Sequence, residues 1–362
     1  MATATLTSEP APAGAPDASE HELVLERRGR RTGAHIIIAV HSTVLGPALG
    51  GCRLWRYASL DEAMQDALRL SGAMTLKAAA AQLPLGGGKS VIFAGPELDL
   101  AGGSREALLE DFADSLNMLD GIYITAEDVG MGAADMDFLA GRSRHVVGAP
   151  TNHGGSGDPG SFTAAGVRAA MRACCNAVYE TPELDSRTVA LVGLGHVGEP
   201  LARAVAADGA QLVLSDVDPR KRALASELDA TWLEPAEALR ADVDLLAPCA
   251  LGGAIDETTS VELRARIVCG SANNQLAAPQ LADVLAARGV LYAPDFIVNS
   301  GGLINVAMEL TGYDRDLALE RIRRIEDVLG EILDHAAARG VTPHAAAVEL
   351  ATGRIAAAAA AA

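Results

Sequence analysis

Val189-Ala190-Leu191-Val192-Gly193-Leu194-Gly195-His196-Val197-Gly198 is the stretch that decides the fold. An apolar strand runs straight into a G-x-G-x-x-G turn, and an Ala-rich helical stretch follows. Gly193 permits the tight turn, Gly195 lets the backbone approach a pyrophosphate, and Gly198 lets helix and strand pack closely. The pyrophosphate would rest on the helix N-terminus, where free N–H groups and the dipole favour anions. The motif alone is a weak signal. Here it has a strand before it, a helix after it, and an acid, Asp216, at the end of the next apolar run, 23 residues past Gly193. A carboxylate there pairs with the adenine ribose hydroxyls and repels a 2′-phosphate, which points to NAD. The basic trio Arg220-Lys221-Arg222 is the feature that would suit NADP instead, and it reads more simply as a solvated helix face.

Outward from this motif, short apolar strands alternate with helices: Thr188–Val192, Gln211–Ser215, Asp244–Ala247, Ile267–Gly270 and Val290–Ala293. That alternation predicts a doubly wound parallel sheet. Upstream, His35–Val40 is a buried strand by length and β-branching, with further strands expected at Ser90–Ala94, Ile122–Thr125 and His145–Gly148. Ser59-Leu60-Asp61-Glu62 is a capping box that opens a helix reaching about Ala80. The glycine-rich loop Gly154–Gly160 marks a hinge before a helix from about Ser161 to Tyr179. From Leu303 a long helical stretch is expected to about Ala338, broken at Gly340 before a last helix near His344–Ile355. The closing run Ala356–Ala362 reads as a frayed helix end.

The expected organisation is α/β with two domains. A disordered leader (1–20) precedes an α/β substrate and oligomerisation domain (21–150). A Rossmann-type dinucleotide domain (151–335) follows, and C-terminal helices (336–362) return to the first domain. A chain of 362 residues exceeds one ordinary core, and 49% apolar with 21% charged residues is globular composition. Aromatics are only 3%, so Ala, Val, Leu and Ile must build that core. The net charge of −18 speaks against nucleic acid, whose phosphates need clustered Lys and Arg. No apolar run has the length of a membrane span, and Met1–Ser19 lacks the basic and apolar regions of a signal peptide. Five cysteines (Cys52, Cys174, Cys175, Cys249, Cys269) without framework spacing suggest reduced thiols in a cytoplasm. No Cys/His cluster has zinc spacing, so no metal is expected.

Two lysines stand in apolar, glycine-rich text: Met74-Thr75-Leu76-Lys77 and Leu85-Gly86-Gly87-Gly88-Lys89-Ser90. Lysine is seldom buried without a reason, and the glycines before Lys89 allow an approach that side chains would block. A phosphate-loop reading of Gly-Lys-Ser fails, because Leu83 stands where that loop needs its first glycine. A desolvated lysine near a second cation suits a general base, and its neighbour suits an anionic substrate group. Downstream, Ile124-Thr125-Ala126-Glu127-Asp128-Val129-Gly130 sets an acid at the end of an apolar strand. On spacing alone, surface lysines and a capping acid are the simpler reading.

Together the motifs resemble a family. Gly50-Gly51-Cys52-Arg53, the Lys77 segment, Gly86–Lys89, Thr125–Gly130, Gly193–Gly198, Ala247-Pro248-Cys249-Ala250, Gly270-Ser271-Ala272-Asn273-Asn274 and Gly301-Gly302 resemble the glutamate/leucine/phenylalanine/valine dehydrogenases, in that family's order, from His21 to about Ile355. The resemblance implies oxidative deamination of an L-amino acid to its 2-oxo acid, with NAD as hydride acceptor, ammonium released and a homo-oligomeric enzyme. It implies that Lys77 binds the substrate carboxylate, that Lys89 activates water, and that Asp128 relays protons to and from the amino group. Gly50 and Gly51 resemble the glycines of the substrate cleft, with Met74 beside them. Asn273 and Asn274 resemble amides near the nicotinamide end, one of which also reaches the substrate carboxylate. Thr163, Gly193, Leu194, Gly195, His196, Val197, Gly198, Asp216, Cys249 and Ala250 fall at the dinucleotide positions. Cys52 departs from the family's usual threonine, which would loosen a hydrogen bond near the cleft.

The implied side-chain pocket is Leu49, Ala126, Leu303 and Val306. None of these pairs with a carboxylate, so glutamate is a poor substrate. Ala126, where phenylalanine-type members have glycine, and bulky Leu303 favour leucine, valine and isoleucine. The alternatives are an aromatic amino-acid dehydrogenase, for phenylalanine or tryptophan, and a catalytically silent NAD-binding protein.

Overall fold

The structure, a computed structural model, describes residues 17–95 and 102–361. Contacts divide the chain into a first unit, up to Thr75 together with Leu85–Val146, and a second, Leu76–Pro84 together with the chain from Val147.

The first unit is built on five strands: β1 (Leu23–Arg28), β2 (His35–Ser42), β3 (Ala48–Trp55), β4 (Gly86–Phe93) and β5 (Tyr123–Glu127). Their order is β1-β2-β4-β3-β5; β2 is antiparallel to β1 and β4, while β3 is parallel to β4 and β5. The Ile36–Val40 run is buried on both faces because a strand turns successive side chains to opposite sides. Ile36, Ile38 and Val40 join Leu108, Phe112 and Leu116 of a helix at Gly102–Met118 and Met136 and Leu139 of a helix at Ala133–Ala140. Ile37 and Ala39 instead meet Ala63, Ala67 and Leu68 of α1 (Leu60–Ala80). At the start of α1 the Glu62 N–H donates to Ser59 Oγ at 3.1 Å, and the Glu62 carboxylate accepts from the Ala58 N–H at 3.0 Å. The capping signal therefore operates, one residue wider than the standard box.

The second unit holds six parallel strands: β6 (Thr188–Val192), β7 (Gln211–Ser215), β8 (Thr231–Trp232), β9 (Leu245–Pro248), β10 (Ile267–Val268) and β11 (Leu291–Tyr292). Their order, β11-β10-β9-β6-β7-β8, is that of a doubly wound dinucleotide fold, with the direction of winding reversing between β6 and β9. A helix at Gly160–Tyr179 precedes β6, and α2 (Gly198–Ala207) follows its glycine turn.

Five local expectations differ. His145–Gly148 is not a strand: Val146 makes a single bridge to Thr125, and Gly148, at φ +81°, gives its N–H to the Glu309 carboxylate at 3.0 Å. The long helix from Leu303 is broken. Helical turns end at Gly312 (φ +93°), and Asp314 caps a new helix at Arg315–Arg323, followed by Ile325–Arg339. The boundary expected at 335/336 falls inside that last helix, whereas Gly340, at φ +65°, does terminate it. The alanine run continues the helix Pro343–Ala361, Ala362 lying outside the described residues. Of the expected leader, residues 1–16 lie outside the described residues, while Ala18–Glu20 form a turn capped by Asp17.

Candidate functional site

Lys89 sits within β4, a strand buried along nearly its whole length, and is itself only 6% exposed. An ammonium in that position needs a counter-charge. It finds one in Asp128, which follows the end of β5: Lys89 Nζ lies 2.8 Å from Asp128 Oδ2. Arg53 Nε, from β3, donates to the same oxygen at 3.0 Å. Burial pushes the Asp128 carboxyl upward, but Lys89 and Arg53 outweigh it and hold the group below the usual carboxylate range. The other arm of Arg53 reaches α1, where Nη1 donates to Asp66 Oδ2 at 2.8 Å. Tyr57 Oη donates to that oxygen at 2.6 Å, and Arg69 Nη2 to Asp66 Oδ1 at 2.7 Å.

The glycines around this cluster are packing requirements. A Cβ on Gly50 would lie 1.7 Å from the Gly88 carbonyl oxygen, and one on Gly51 would lie 2.8 Å from Asp128 Cβ. Only bare backbone lets β3 lie so close to β4 and to the Asp128 turn. Tyr123, fully buried, donates its hydroxyl to the Gly50 carbonyl at 2.6 Å and fixes that strand. Leu49 is buried, Ala126 stands opposite Gly51 in register, and both Ala126 and Met74 are partly buried. Cys52 is wholly enclosed, and burial pushes its thiol up to about 12, the behaviour of an inert packing residue.

In the second unit, Lys77 Nζ donates to Asn299 Oδ1 at 2.5 Å. Asn299 Nδ2 in turn donates to Asn273 Oδ1 at 2.7 Å and to the Ser271 carbonyl at 3.1 Å. Lys77 and Asn273, singled out separately in the sequence, are thus brought into one chain by an asparagine that was not singled out. Asn274 adopts φ +52°, a left-handed conformation that asparagine tolerates, and its carbonyl accepts from the Gly253 N–H at 2.7 Å. Leu303 and Val306 are buried on the helix Gly301–Ala307.

The glycine turn lies at the switch point of the sheet. Gly193, at φ +104°, passes so near the loop after β9 that a Cβ would meet Ala250 at 2.7 Å, and a Cβ on Gly198 would lie 1.9 Å from the Gly193 carbonyl oxygen. Gly195 is different: a Cβ there meets nothing within 4 Å. Asp216 Oδ2 accepts from the Leu194 N–H at 2.6 Å, so the acid braces the turn, and Leu194 itself is buried. Cys249 joins the end of β9 to β6 by donating its N–H to the Val192 carbonyl at 2.8 Å. Thr163 Oγ1 donates to the Pro159 carbonyl at 3.0 Å, His196 is exposed, and Val197 is partly buried. Each of the basic trio already has a carboxylate: Arg220 with Asp218, Lys221 with Glu199, and Arg222 with Glu234, at 2.7, 2.8 and 2.7 Å. Two large apolar side chains beside the turn, Val217 and Leu251, are 89% and 83% exposed.

The sequence reading missed the Arg53–Asp66 link, Tyr123, Asn299, Val217 and Leu251. A tyrosine inside an apolar strand was the one available signal, since a buried hydroxyl needs a partner. The others depend on pairings between distant segments. Among the described residues no group of His, Cys, Asp and Glu could hold a metal, and no helix is long and apolar enough to cross a membrane.

Strand order, glycine turn and the space above Gly195 define a Rossmann-type fold suited to a dinucleotide. The chain belongs to the glutamate/leucine/phenylalanine/valine dehydrogenase family: the model of that family's dimerisation domain matches residues 22–145, and a second model, glutamate/leucine/phenylalanine/valine dehydrogenase, matches 214–362. It is 40% identical to a leucine dehydrogenase of Geobacillus stearothermophilus, over 93% of this chain and 91% of that one. It is 42% identical to a valine dehydrogenase of Streptomyces virginiae, over 94% and 95% of the two chains. The crystal structure of L-tryptophan dehydrogenase from Nostoc punctiforme superposes with a TM-score of 0.81 at 39% identity, covering 93% of this chain and 97% of that one. The protein is an amino-acid dehydrogenase.

Proposed function

We infer that the chain oxidatively deaminates a branched aliphatic L-amino acid, leucine, valine or isoleucine, to the 2-oxo acid, using NAD. The observation that carries the chemical part is the buried Lys89–Asp128 pair at 2.8 Å. The two groups are in direct contact, close enough for a proton to pass between them. In this reading Lys89 passes its proton to Asp128, the freed amine takes a proton from the water that attacks the imino acid, and Asp128 delivers its proton to the departing amino group. Lys77, held by Asn299, binds the substrate carboxylate. The side chains that the family resemblance assigns to substrate recognition, Leu49, Met74 and Ala126 in the first unit and Leu303 and Val306 in the second, carry no charged group, which suits an aliphatic substrate and not a carboxylate.

The residues present fit a dinucleotide. Gly195 leaves the room a pyrophosphate needs above the N-terminus of α2. Val217 and Leu251 offer apolar surface for the adenine, and Asp216 offers its carboxylate to the ribose. When bound, the dinucleotide accepts the hydride from the substrate Cα. Pairing of Arg220, Lys221 and Arg222 with their own carboxylates supports NAD over NADP. The dimerisation domain supports a homo-oligomer.

The test is NADH formation measured by absorbance over all twenty amino acids, with NAD and NADP in parallel. Highest kcat/KM on leucine, valine or isoleucine with NAD is expected. Highest efficiency on tryptophan or phenylalanine would move the assignment to the aromatic members. No turnover on any amino acid would overturn it.

A further inference from the structure

The assigned pair accounts for Lys89 and Asp128 but leaves Arg53 without a role, although it donates to the same carboxylate. Both cations address a single oxygen. Lys89 Nζ and Arg53 Nε lie 2.8 and 3.0 Å from Asp128 Oδ2, and Oδ1 accepts nothing from the described residues. Arg53 is not a loose surface group that happens to touch the site. Its side chain is 23% exposed, and its second arm is tied to Asp66, 15% exposed, which Tyr57 and Arg69 hold in turn. The guanidinium is a rigid planar fork with donors in fixed directions, so anchoring one arm on α1 fixes where the other points. We propose that Arg53 is a positioning residue for the reaction: anchored on Asp66, it holds Asp128 by Oδ2 and turns Oδ1 to the amino group of the substrate.

This rests on the role inferred above for Asp128. The groups facing that carboxylate are Lys89 from β4, Arg53 and the buried Cys52 from β3, and Tyr123 from β5; Asp66 of α1 acts through Arg53. Of these, Lys89 and Arg53 carry the positive charge, and only Arg53 is held from a second element by an acid of its own. Two consequences separate positioning from mere support of the fold. A fixed cation lowers the pKa of acids beside it, so its removal moves the acid limb of the pH–rate profile upward. That limb belongs to the coupled Lys89–Asp128 pair and not to either residue alone. Removing Asp66's charge acts in the opposite sense, because a nearby anion disappears and Arg53 is released to Asp128.

The experiment compares Arg53→Gln, Arg53→Lys and Asp66→Asn as full-length enzymes, measuring kcat and kcat/KM against pH with saturating dinucleotide. Arg53→Gln is expected to lower kcat by roughly 10²-fold, the usual cost of a misplaced catalytic group. Its acid limb moves up by ~1 pH unit. Arg53→Lys keeps the charge without the fork, so the limb returns toward the wild-type position while kcat recovers only in part. Asp66→Asn moves the limb the other way. If Arg53→Gln does not fold, the lysine and asparagine variants decide by the same limb. A limb that stays in place in every folded variant overturns the proposal. Asp128→Asn serves as control: wild-type turnover there would remove the assigned role of Asp128. An inactive Asp128→Asn beside an unmoved limb would sink only the role of Arg53.

Discussion

The carboxyl ends of parallel strands carry opposite kinds of machinery in the two units. After β5 in the first, one carboxylate oxygen receives a lysine and an arginine, and a second carboxylate on α1 receives two arginines and a tyrosine. After β6 in the second, the working surface is mostly backbone: a glycine at φ +104°, an open glycine, and an acid that accepts the N–H of the turn. The glycines tell the same story. Gly50 and Gly51 are bare because strands crowd them, whereas Gly195 is bare although nothing crowds it.

Substitutions should therefore separate chemistry from dinucleotide affinity. The largest effect is expected from Asp128→Asn, which removes the negative partner of two cations. Stopped-turnover assays should show kcat lower by roughly 10²–10⁴-fold, the usual range for general acid–base groups, with NADH affinity unchanged. Within the second unit, Gly195→Val puts a side chain into the open space and should raise the KM for NAD by about tenfold or more while the melting temperature holds. Gly198→Ala should do the reverse. Its Cβ would lie 1.9 Å from the Gly193 carbonyl oxygen, so thermal unfolding should report a loss of about 1–3 kcal/mol.

How much of this was visible in the sequence follows the same division. Local chemistry writes the dinucleotide turn, since strand, glycines, helix and acid all fall within a few dozen residues of Val189. The Ile36–Val40 run was equally legible because a strand buried on both faces has an unbroken apolar text. β3 was not, because Gly50 and Gly51 carry no strand signal and are explained only by what lies across from them. His145–Gly148 looked like a strand by composition, yet Gly148 turns away to meet Glu309, a partner 161 residues on. The burial of Lys89 could be argued from its glycines. The role of Asp128 beside it came only through family resemblance, their contact appears only in the structure, and the Arg53–Asp66 link joins a strand to a helix, which no spacing rule reports.

Cofactor choice sharpens the comparison further. With Asp216 at the turn and the three basic side chains engaged elsewhere, kcat/KM should be much higher with NAD than with NADP. Equal efficiencies would mean that Arg220–Arg222 leave their carboxylates for a 2′-phosphate. The smallest effect concerns the side-chain pocket. Ala126→Gly combined with Leu303→Ala should raise the phenylalanine-to-leucine ratio of kcat/KM by roughly tenfold, because a methylene or two discriminates by ~1–3 kcal/mol. Leucine efficiency should fall with it, since deleted methylenes leave a void. An unmoved ratio would take these residues out of the pocket.

The division of labour itself is tested most directly on Lys89→Ala, with turnover and NADH binding measured on the same preparation. Deamination below a tenth of the wild-type rate and an unchanged NADH dissociation constant are expected, because the lysine serves the chemistry in the first unit while the glycine turn of the second binds the dinucleotide. Turnover above a tenth of wild type would remove Lys89 from the general-base role, and a loss of NADH affinity matching the loss of rate would contradict the separation of the two sites.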